Sequence, residues 1–327
     1  MIDYFKPKKK LKLVVQIPAY NEEKTITKVI KEIPKRILGI SDVKVLVIDD
    51  GSKDRTVEMA QDAGADHILQ HKINRGLGKS FRDGIEKSLS LDADIIVNID
   101  GDGQFNSKDV PRLIQPILDN QADMVTVSRF LDPKLTKNMP WIKKWGNRRF
   151  TSLISKITGQ KFTDTQCGFR AYSKEAALRL NLKGKFTYTQ EVFIDLAEKG
   201  MRINEIPSEV TYHQKRQSII SGNLKRYGFK SLAIIARATR DTKPLTFFGM
   251  PAVITFVLGF LGGLVSFFYW LFEHVTTPVR TLLSISTFMM IFGASLMIMA
   301  LIADMLITLK QNQEEILYRL KKRELNE

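Results

Sequence analysis

Residues 245–272 contain no charged side chain, and residues 281–309 contain only Asp304. Each run exceeds the roughly 20 apolar residues that carry a helix across a bilayer core. Both are apolar all round and leave no polar face for water, so a pair of ordinary core helices is the weaker reading. The link between them, residues 273–280, is short and predicts a hairpin. Lys225, Arg226, Lys230, Arg237, Arg240 and Lys243 precede the first run; Lys310, Arg319, Lys321, Lys322 and Arg323 follow the second; the link has Arg280 alone. This bias of Lys and Arg predicts a two-span protein of the cell membrane, with both termini and everything upstream in the cytoplasm. Asp304 lies near the cytoplasmic end of its run. It reads as a carboxylate reaching the interface, with contact to a partner chain or a lipid head group as the other reading.

Upstream, short Val- and Ile-rich runs at 13–17, 43–48, 95–99 and 124–127 predict strands, and the patterns at 22–33, 56–63 and 79–89 predict helices between them. Such alternation implies an α/β fold: a Rossmann-like, mostly parallel sheet flanked by helices, with ligands bound beyond the carboxyl ends of the strands. Hydrophobic residues make up 44% of the chain, enough for a large core. The expected divisions are a soluble domain at 1–222, a juxtamembrane amphipathic helix at 223–244, two spans within 245–309, and a basic tail at 310–327. The lysine-rich start leads into an apolar run too short for a secretory signal. Cys167 is the sole cysteine, which excludes an intrachain disulfide or a cysteine zinc cluster; it reads as a small packing residue.

The net charge of +15 suits nucleic acid, anionic lipid or phosphorylated substrates. Residues 141–157 place Trp141 and Trp145 one helical turn apart among Lys143, Lys144, Arg148 and Arg149. Residues 223–240 put Arg226, Lys230 and Arg237 on one stripe and Leu224, Tyr227 and Ile235 on another. Basic amphipathic helices of this kind rest on anionic membrane surfaces; a solvated face on an ordinary helix is the alternative.

Three strand ends carry candidate chemistry. Asp100-Gly101-Asp102-Gly103-Gln104 follows the third strand. Two carboxylates this close repel each other unless a cation sits between them, and Mg²⁺ or Mn²⁺, bound together with substrate phosphates, is the fitting ion. Alone, the pattern also fits a surface turn. Asp49-Asp50-Gly51-Ser52 follows the second strand, where carboxylates can accept from ribose hydroxyls or a base; a turn whose Asp or Ser caps the next helix is the alternative. Pro18-Ala19-Tyr20-Asn21-Glu22-Glu23 follows the first. There Tyr20 can stack on a base and Glu22 can bind it, or Asn21 simply caps a helix. Acidic side chains at the tips of neighbouring strands, Asp50 and Asp102 among them, are expected to share one cavity.

In this order the motifs resemble family 2 glycosyltransferases, which have the inverting GT-A fold. The resemblance takes in P-A-Y-N-E, V-I-D-D-G-S, N-R-G-L-G-K-S at 74–80, N-I-D-G-D-G-Q at 98–104, D-T-Q-C-G-F-R at 164–170, Thr189-Gln190-Glu191 and H-Q-K-R-Q-S at 213–218. Within the family the chain is most similar to the polyprenyl- and dolichyl-phosphate sugar synthases, the dolichyl-phosphate mannose synthase group. That resemblance implies transfer of a sugar from a UDP- or GDP-sugar to a polyprenyl or dolichyl phosphate at the cytosolic membrane face, yielding a lipid-linked donor for glycan or glycoprotein assembly. It implies that Pro18, Tyr20, Glu22, Asp49, Asp50, Asp100 and Glu191 hold the nucleotide-sugar. Asp100, Asp102 and Gln104 would hold Mg²⁺ or Mn²⁺, with Asp102 also counted as catalytic. Arg129 and Arg216 would be catalytic through the phosphates they bind, and Arg148 would join them at the acceptor phosphate. Gly168 and Phe169 would shape the acceptor floor. The Q-x-x-R-W of processive relatives is missing at 214–217, so polymer extrusion is not expected.

Two rival readings remain. A sugar hydroxyl of a lipid-linked glycan is the first, and it requires a base such as Asp164 or Glu191. A non-enzymatic basic membrane protein that binds nucleic acid is the second; acidic strand ends speak against it, so no nucleic-acid partner is expected. A homo-oligomer is compatible with every reading.

Overall fold

The computed structural model describes residues 11–137, 139–182, 188–210, 240 and 243–325. The motif at 213–218 with Arg216, and the helix expected at 223–244 apart from Arg240 and residues 243–244, lie outside the described residues. Contacts divide the chain into two compact units, Met1–Arg216 with Tyr318–Glu327, and Gln217–Leu317.

In the first unit seven strands form one sheet in the order β3-β2-β1-β4-β6-β5-β7. They are β1 (Leu11–Ala19), β2 (Ile40–Asp49), β3 (His67–Gln70), β4 (Ile95–Asn98), β5 (Met124–Ser128), β6 (Arg170–Ser173) and β7 (Ile203–Pro207). Pairing is parallel except where β6 runs antiparallel between β4 and β5. The expected mostly parallel sheet is therefore present. Residues 13–19 of β1 and 45–49 of β2 are buried on both faces, as continuous apolar runs in a helix-covered parallel sheet should be.

The first-unit helices are α1 (Ile26–Lys31), α2 (Thr56–Asp62), α3 (Leu77–Ser90), α4 (Val110–Leu118), α5 (Trp141–Thr158), α6 (Lys174–Arg179) and α7 (Thr189–Glu198). α3 buries Phe81, Ile85 and Leu89 at helical spacing, and its small residues let it approach the sheet closely. A Cβ on Gly84 would stand 2.6 Å from Gln16 Oε1 and 2.9 Å from Ile48 Cδ1. The helix expected at 22–33 shrinks to α1, because Asn21 adopts φ +55° and residues 22–25 are used in a turn.

The register of the central strands positions the site. β1 lies between β2 and β4, and Ala19 pairs with Asp49 while Gln16 pairs with Asn98. The ladder continues past the strands: Asp50 N–H donates to Ala19 O at 2.9 Å and Gly101 N–H to Pro18 O at 3.3 Å. Three polar turns consequently emerge side by side from the carboxyl edge.

The second unit contains α8 (Met250–Glu273) and most of α9 (Arg280–Glu324). Both helices are long and apolar enough to cross a bilayer. α9 runs unbroken past residue 309, where a separate tail was expected, because residues 310–324 contain neither Gly nor Pro to stop it. The two helices pack through small residues: a Cβ on Gly259 would lie 2.7 Å from Ser286 O, and one on Gly293 2.7 Å from Phe256 N, whereas Gly263 faces open space. Gly259→Val and Gly293→Val should each lower the melting temperature of the detergent-solubilised protein by several degrees, in keeping with an overpacking cost of about 1–3 kcal/mol. Gly263→Val should leave it unchanged; equal shifts for all three would refute this packing.

Candidate active site

The turns after β1 and β2 are tied together by reciprocal hydrogen bonds. Asn21 N–H donates to Ser52 Oγ at 2.9 Å, Lys53 N–H returns to Asn21 Oδ1 at 2.9 Å, and Glu22 N–H donates to Thr56 Oγ1 at 2.7 Å. Neither Asn21 nor Ser52 caps its own following helix; each side chain is used on the neighbouring turn. This lacing presents Tyr20, 41% exposed, at the rim of a cavity of about 690 Å³. Gly51, Ser52, Lys53, Gln70, His71, Lys72, Ile73 and Asn74 form its walls. Such a volume lies within the roughly 300–1,000 Å³ of small-molecule sites.

The two aspartates at the end of β2, Asp49 and Asp50, are buried and engaged internally. Asp49 accepts from Ser52 N–H at 3.3 Å to each oxygen. Asp50 accepts Arg75 N–H at 2.9 Å, Gly76 N–H at 2.8 Å and His71 Nδ1 at 2.7 Å. Asp50, expected to help hold the nucleotide-sugar, is thus engaged with the loop after β3. The tips of β2 and β4 flank that of β1 at the same edge, and neither Asp50 nor Asp102 lines the walls just described.

The turn after β4 differs. Asp102 Oδ1 accepts Gln104 N–H at 3.1 Å and remains partly exposed. Asp100 Oδ1 is buried with no hydrogen-bond partner. Burial, then the neighbouring Asp102 charge, push the Asp100 carboxyl up to about 7; the buried Arg170 guanidinium opposes this and Glu22 adds to it. Thr25 Oγ1 donates to Gly101 O at 2.8 Å and lies 3.1 Å from Glu22 Oε2, which brings the first and third turns together. Gly168 packs against Asp100 so closely that a Cβ there would overlap the carboxylate. Among the described residues no three His, Cys, Asp or Glu side chains form a complete metal cage. An orphaned buried carboxylate oxygen beside a second carboxylate nevertheless fits Mg²⁺ or Mn²⁺, which take the remaining oxygens from phosphates and water.

A second network closes the other side. Arg129, just after β5, is bidentate on the buried Asp164 through Nε at 2.6 Å and Nη2 at 3.0 Å. Asp164 also accepts Asn147 Nδ2 at 2.8 Å and Cys167 Sγ at 3.2 Å. Burial pulls the Asp164 carboxyl upward, but the Arg129 hydrogen bonds and charge and the Asn147 amide hold it below the usual range. Glu205 on β7 accepts the Thr163 and Asp164 N–H groups and fixes this strand of chain. Burial, partly opposed by those bonds, raises its carboxyl. On α5, Asn147, Thr151 and Ile154 face inward while Trp141 and Trp145 are 76% and 58% exposed. Arg148 is exposed there with its guanidinium 5.9 Å from the Phe130 ring centre. Glu191 lies in the first turn of α7, partly buried.

A model of glycosyl transferase family 2 matches residues 14–180. The chain belongs to that family. A UDP-N-acetylglucosamine–dolichyl-phosphate N-acetylglucosaminyltransferase of Methanococcus voltae is 32% identical over 65% of this chain and 90% of the relative. Glycosyltransferase AglJ of Haloferax volcanii is 28% identical over 90% and 94%. Polyprenol monophosphomannose synthase of Mycolicibacterium smegmatis is 26% identical over 66% and 84%. The fold also matches Mycobacterium tuberculosis glucosyl-3-phosphoglycerate synthase in its UDP complex, with a TM-score of 0.53 at 23% identity over 70% of this chain and 79% of that one. This glycosyltransferase is thus a GT-A enzyme whose relatives act on polyprenyl or dolichyl phosphates.

Sequence patterns passed over His71, Arg170 and Thr25. His71 and Thr25 sit in no acidic motif, and Arg170 closes the motif at 164–170 without a role assigned to it. Arg170 is fully buried; Nη2 donates to Thr165 O at 3.2 Å, its guanidinium carbon lies 4.7 Å from the Phe193 ring centre, and Nε and Nη1 have no partner.

Because the folded Asp100 carboxyl holds its proton up to about pH 7, against about 4 in an unfolded chain, the metal-free protein gains stability from that proton below pH 4 and loses it as pH rises through 7. Mn²⁺ must displace the same proton. Its apparent affinity should fall up to about tenfold per unit below pH 7 and level off above it, with proton release in calorimetry run in two buffers. A flat profile from pH 5.5 to 8 would remove Asp100 from the metal site. Gly168→Ala should weaken Mn²⁺ binding about tenfold by displacing Asp100 while circular dichroism stays native.

Proposed function

We propose that this glycosyltransferase moves a sugar from a UDP- or GDP-sugar to a polyprenyl or dolichyl phosphate at the cytoplasmic face of the membrane. The observation that carries the reading is Asp100, a buried carboxylate oxygen without a donor beside Asp102, one strand away from a cavity of nucleotide size rimmed by Tyr20. The names of the relatives, dolichyl- and polyprenyl-phosphate enzymes among them, support the acceptor class.

Pro18, Tyr20 and the walls after β2 and β3 would hold the nucleoside, with Asp49 and Asp50 shaping those walls and Glu22 and Glu191 nearer the diphosphate and sugar. Asp100, Asp102 and Gln104 would hold Mg²⁺ or Mn²⁺, which neutralises the charge that grows on a departing diphosphate. Arg129, fixed by Asp164, and the exposed Arg148 would meet the acceptor phosphate, with Arg216 assigned beside them from its motif. Trp141 and Trp145 would rest at the bilayer surface, where indole rings are favoured.

A lipid phosphate, with a second pKa near about 6, is already an anion at neutral pH. It attacks the anomeric carbon without a strong base, and inversion gives a β-linked product from an α-linked donor. The chain's contribution is orientation and charge stabilisation. Asp164, the base that a hydroxyl acceptor would call on, has its oxygens committed to Arg129, Asn147 and Cys167, which favours the phosphate acceptor.

Membranes holding the protein, given labelled nucleotide-sugars and polyprenyl phosphate, should form a labelled lipid; replacing the acceptor by polyprenol should abolish it. Product from polyprenol at a comparable rate would overturn the phosphate reading. Asp102→Ala should reduce transfer at least about a thousandfold with the fold retained; near-normal transfer by the folded variant would end its metal role.

A further inference from the structure

His71 continues the β3 ladder, with its N–H donating to Asp49 O at 2.9 Å, and is buried. Its ring bridges two carboxylates. Nδ1 lies 2.7 Å from Asp50 Oδ1, and Nε2 lies 3.0 Å from Asp83 Oδ2 on α3. Asp83 is ion-paired with Lys79 one turn earlier, and Arg75 Nη1 stands 3.9 Å away. On the far side of this row, Asp50 receives the Arg75 and Gly76 N–H groups and so closes the loop 73–76. Ile73 and Asn74 of that loop are cavity wall, and they press on Gly51 so tightly that a Cβ there would sit 2.7 Å from Ile73 C.

The row therefore links helix α3, which supplies no cavity wall, to His71, itself part of the wall, and through Asp50 to the wall at Ile73 and Asn74, so that Asp83→Asn tests the row without removing a wall side chain. Apolar packing would join α3 to the sheet without the desolvation cost of buried carboxylates, and elsewhere α3 is packed that way. What apolar packing cannot do is fix the direction of a carboxylate. Asp50 needs an outer partner to remain aimed at two backbone N–H groups rather than turn toward solvent, and His71 Nδ1 is placed to be that partner, with Asp83 on the ring's other nitrogen.

We propose that His71, backed by Asp83, is a positioning residue for donor binding: it orients Asp50 and thereby sets the shape of the nucleotide wall at Ile73 and Asn74. This rests on the reading of the cavity as the donor site.

The test uses the full-length protein in detergent, with UDP and GDP in the presence of Mn²⁺ as binding probes and steady-state kinetics alongside. His71→Ala and Asp83→Asn should each weaken nucleotide binding and raise the donor KM by about tenfold to hundredfold. The kcat and the KM for polyprenyl phosphate should remain within about twofold. The double variant should be no worse than the weaker single one, because both act through one row. If His71→Ala does not fold, Asp83→Asn carries the same expectation. Folded variants that bind nucleotide as the wild type does would overturn the proposal and leave the cavity assignment standing. Parallel losses in kcat and in both KM values would overturn it in favour of a general structural role. A wild-type protein that binds neither nucleotide would sink the cavity assignment itself.

Discussion

The cost of burying carboxylates at the carboxyl edge of the sheet without donors or a cation to match them is the constraint on which the rest of the site depends. The sheet forces Asp49, Asp50, Asp100 and Asp102 toward one edge, with Asp164 further along. Burying an unmatched carboxylate is costly, so each must find donors or a cation. Asp50 finds two backbone N–H groups and an imidazole, and Asp164 finds a guanidinium, an amide and a thiol. Asp100 alone of the three keeps an oxygen with no partner. The uneven matching separates carboxylates that build the scaffold from the one left open to a cation.

The division was only half readable in the residues. Val- and Ile-rich β1, β2, β4 and β5 announce themselves because both faces are buried. β3, β6 and β7 do not: His67–Gln70, Arg170–Ser173 and Ile203–Pro207 are short and mix polar with apolar residues. Only tertiary pairing makes them strands. At the site, the D-x-D pattern pointed to a cation-binding pair, whereas D-D-G-S fitted either a ligand contact or a turn, and the hydrogen bonds of Asp50 are made within the fold. Nothing local distinguishes them. Asp50 is engaged by Arg75 and Gly76, some 25 residues away in sequence, and by His71, whose partner Asp83 lies on another helix. Side-chain matching over such distances leaves no periodic trace.

The two helices long and apolar enough to cross a bilayer were the easier reading, since runs of this length with at most one charge stand out in the sequence. Its internal packing was harder to see. Without water to drive association, close approach of the helices depends on small residues. Gly259 and Gly293 meet the backbone or Cβ of the facing helix, while Gly263, similar in sequence context, meets nothing.

Arg170 bears on why the open carboxylate is tolerated. Its guanidinium is buried against Phe193 and Tyr188 with two nitrogens unpaired, and its charge opposes the upward shift of Asp100. A direct ion pair would have satisfied both groups and closed the site. Held apart, the cation lowers the cost of an ionised Asp100 without occupying the oxygen. A carboxyl raised to about 7 is one that a divalent ion would claim near neutral pH by displacing a proton. The buried cation and the orphaned oxygen are thus two halves of one arrangement: each is a defect if judged by hydrogen-bond satisfaction, and together they keep the strand end receptive.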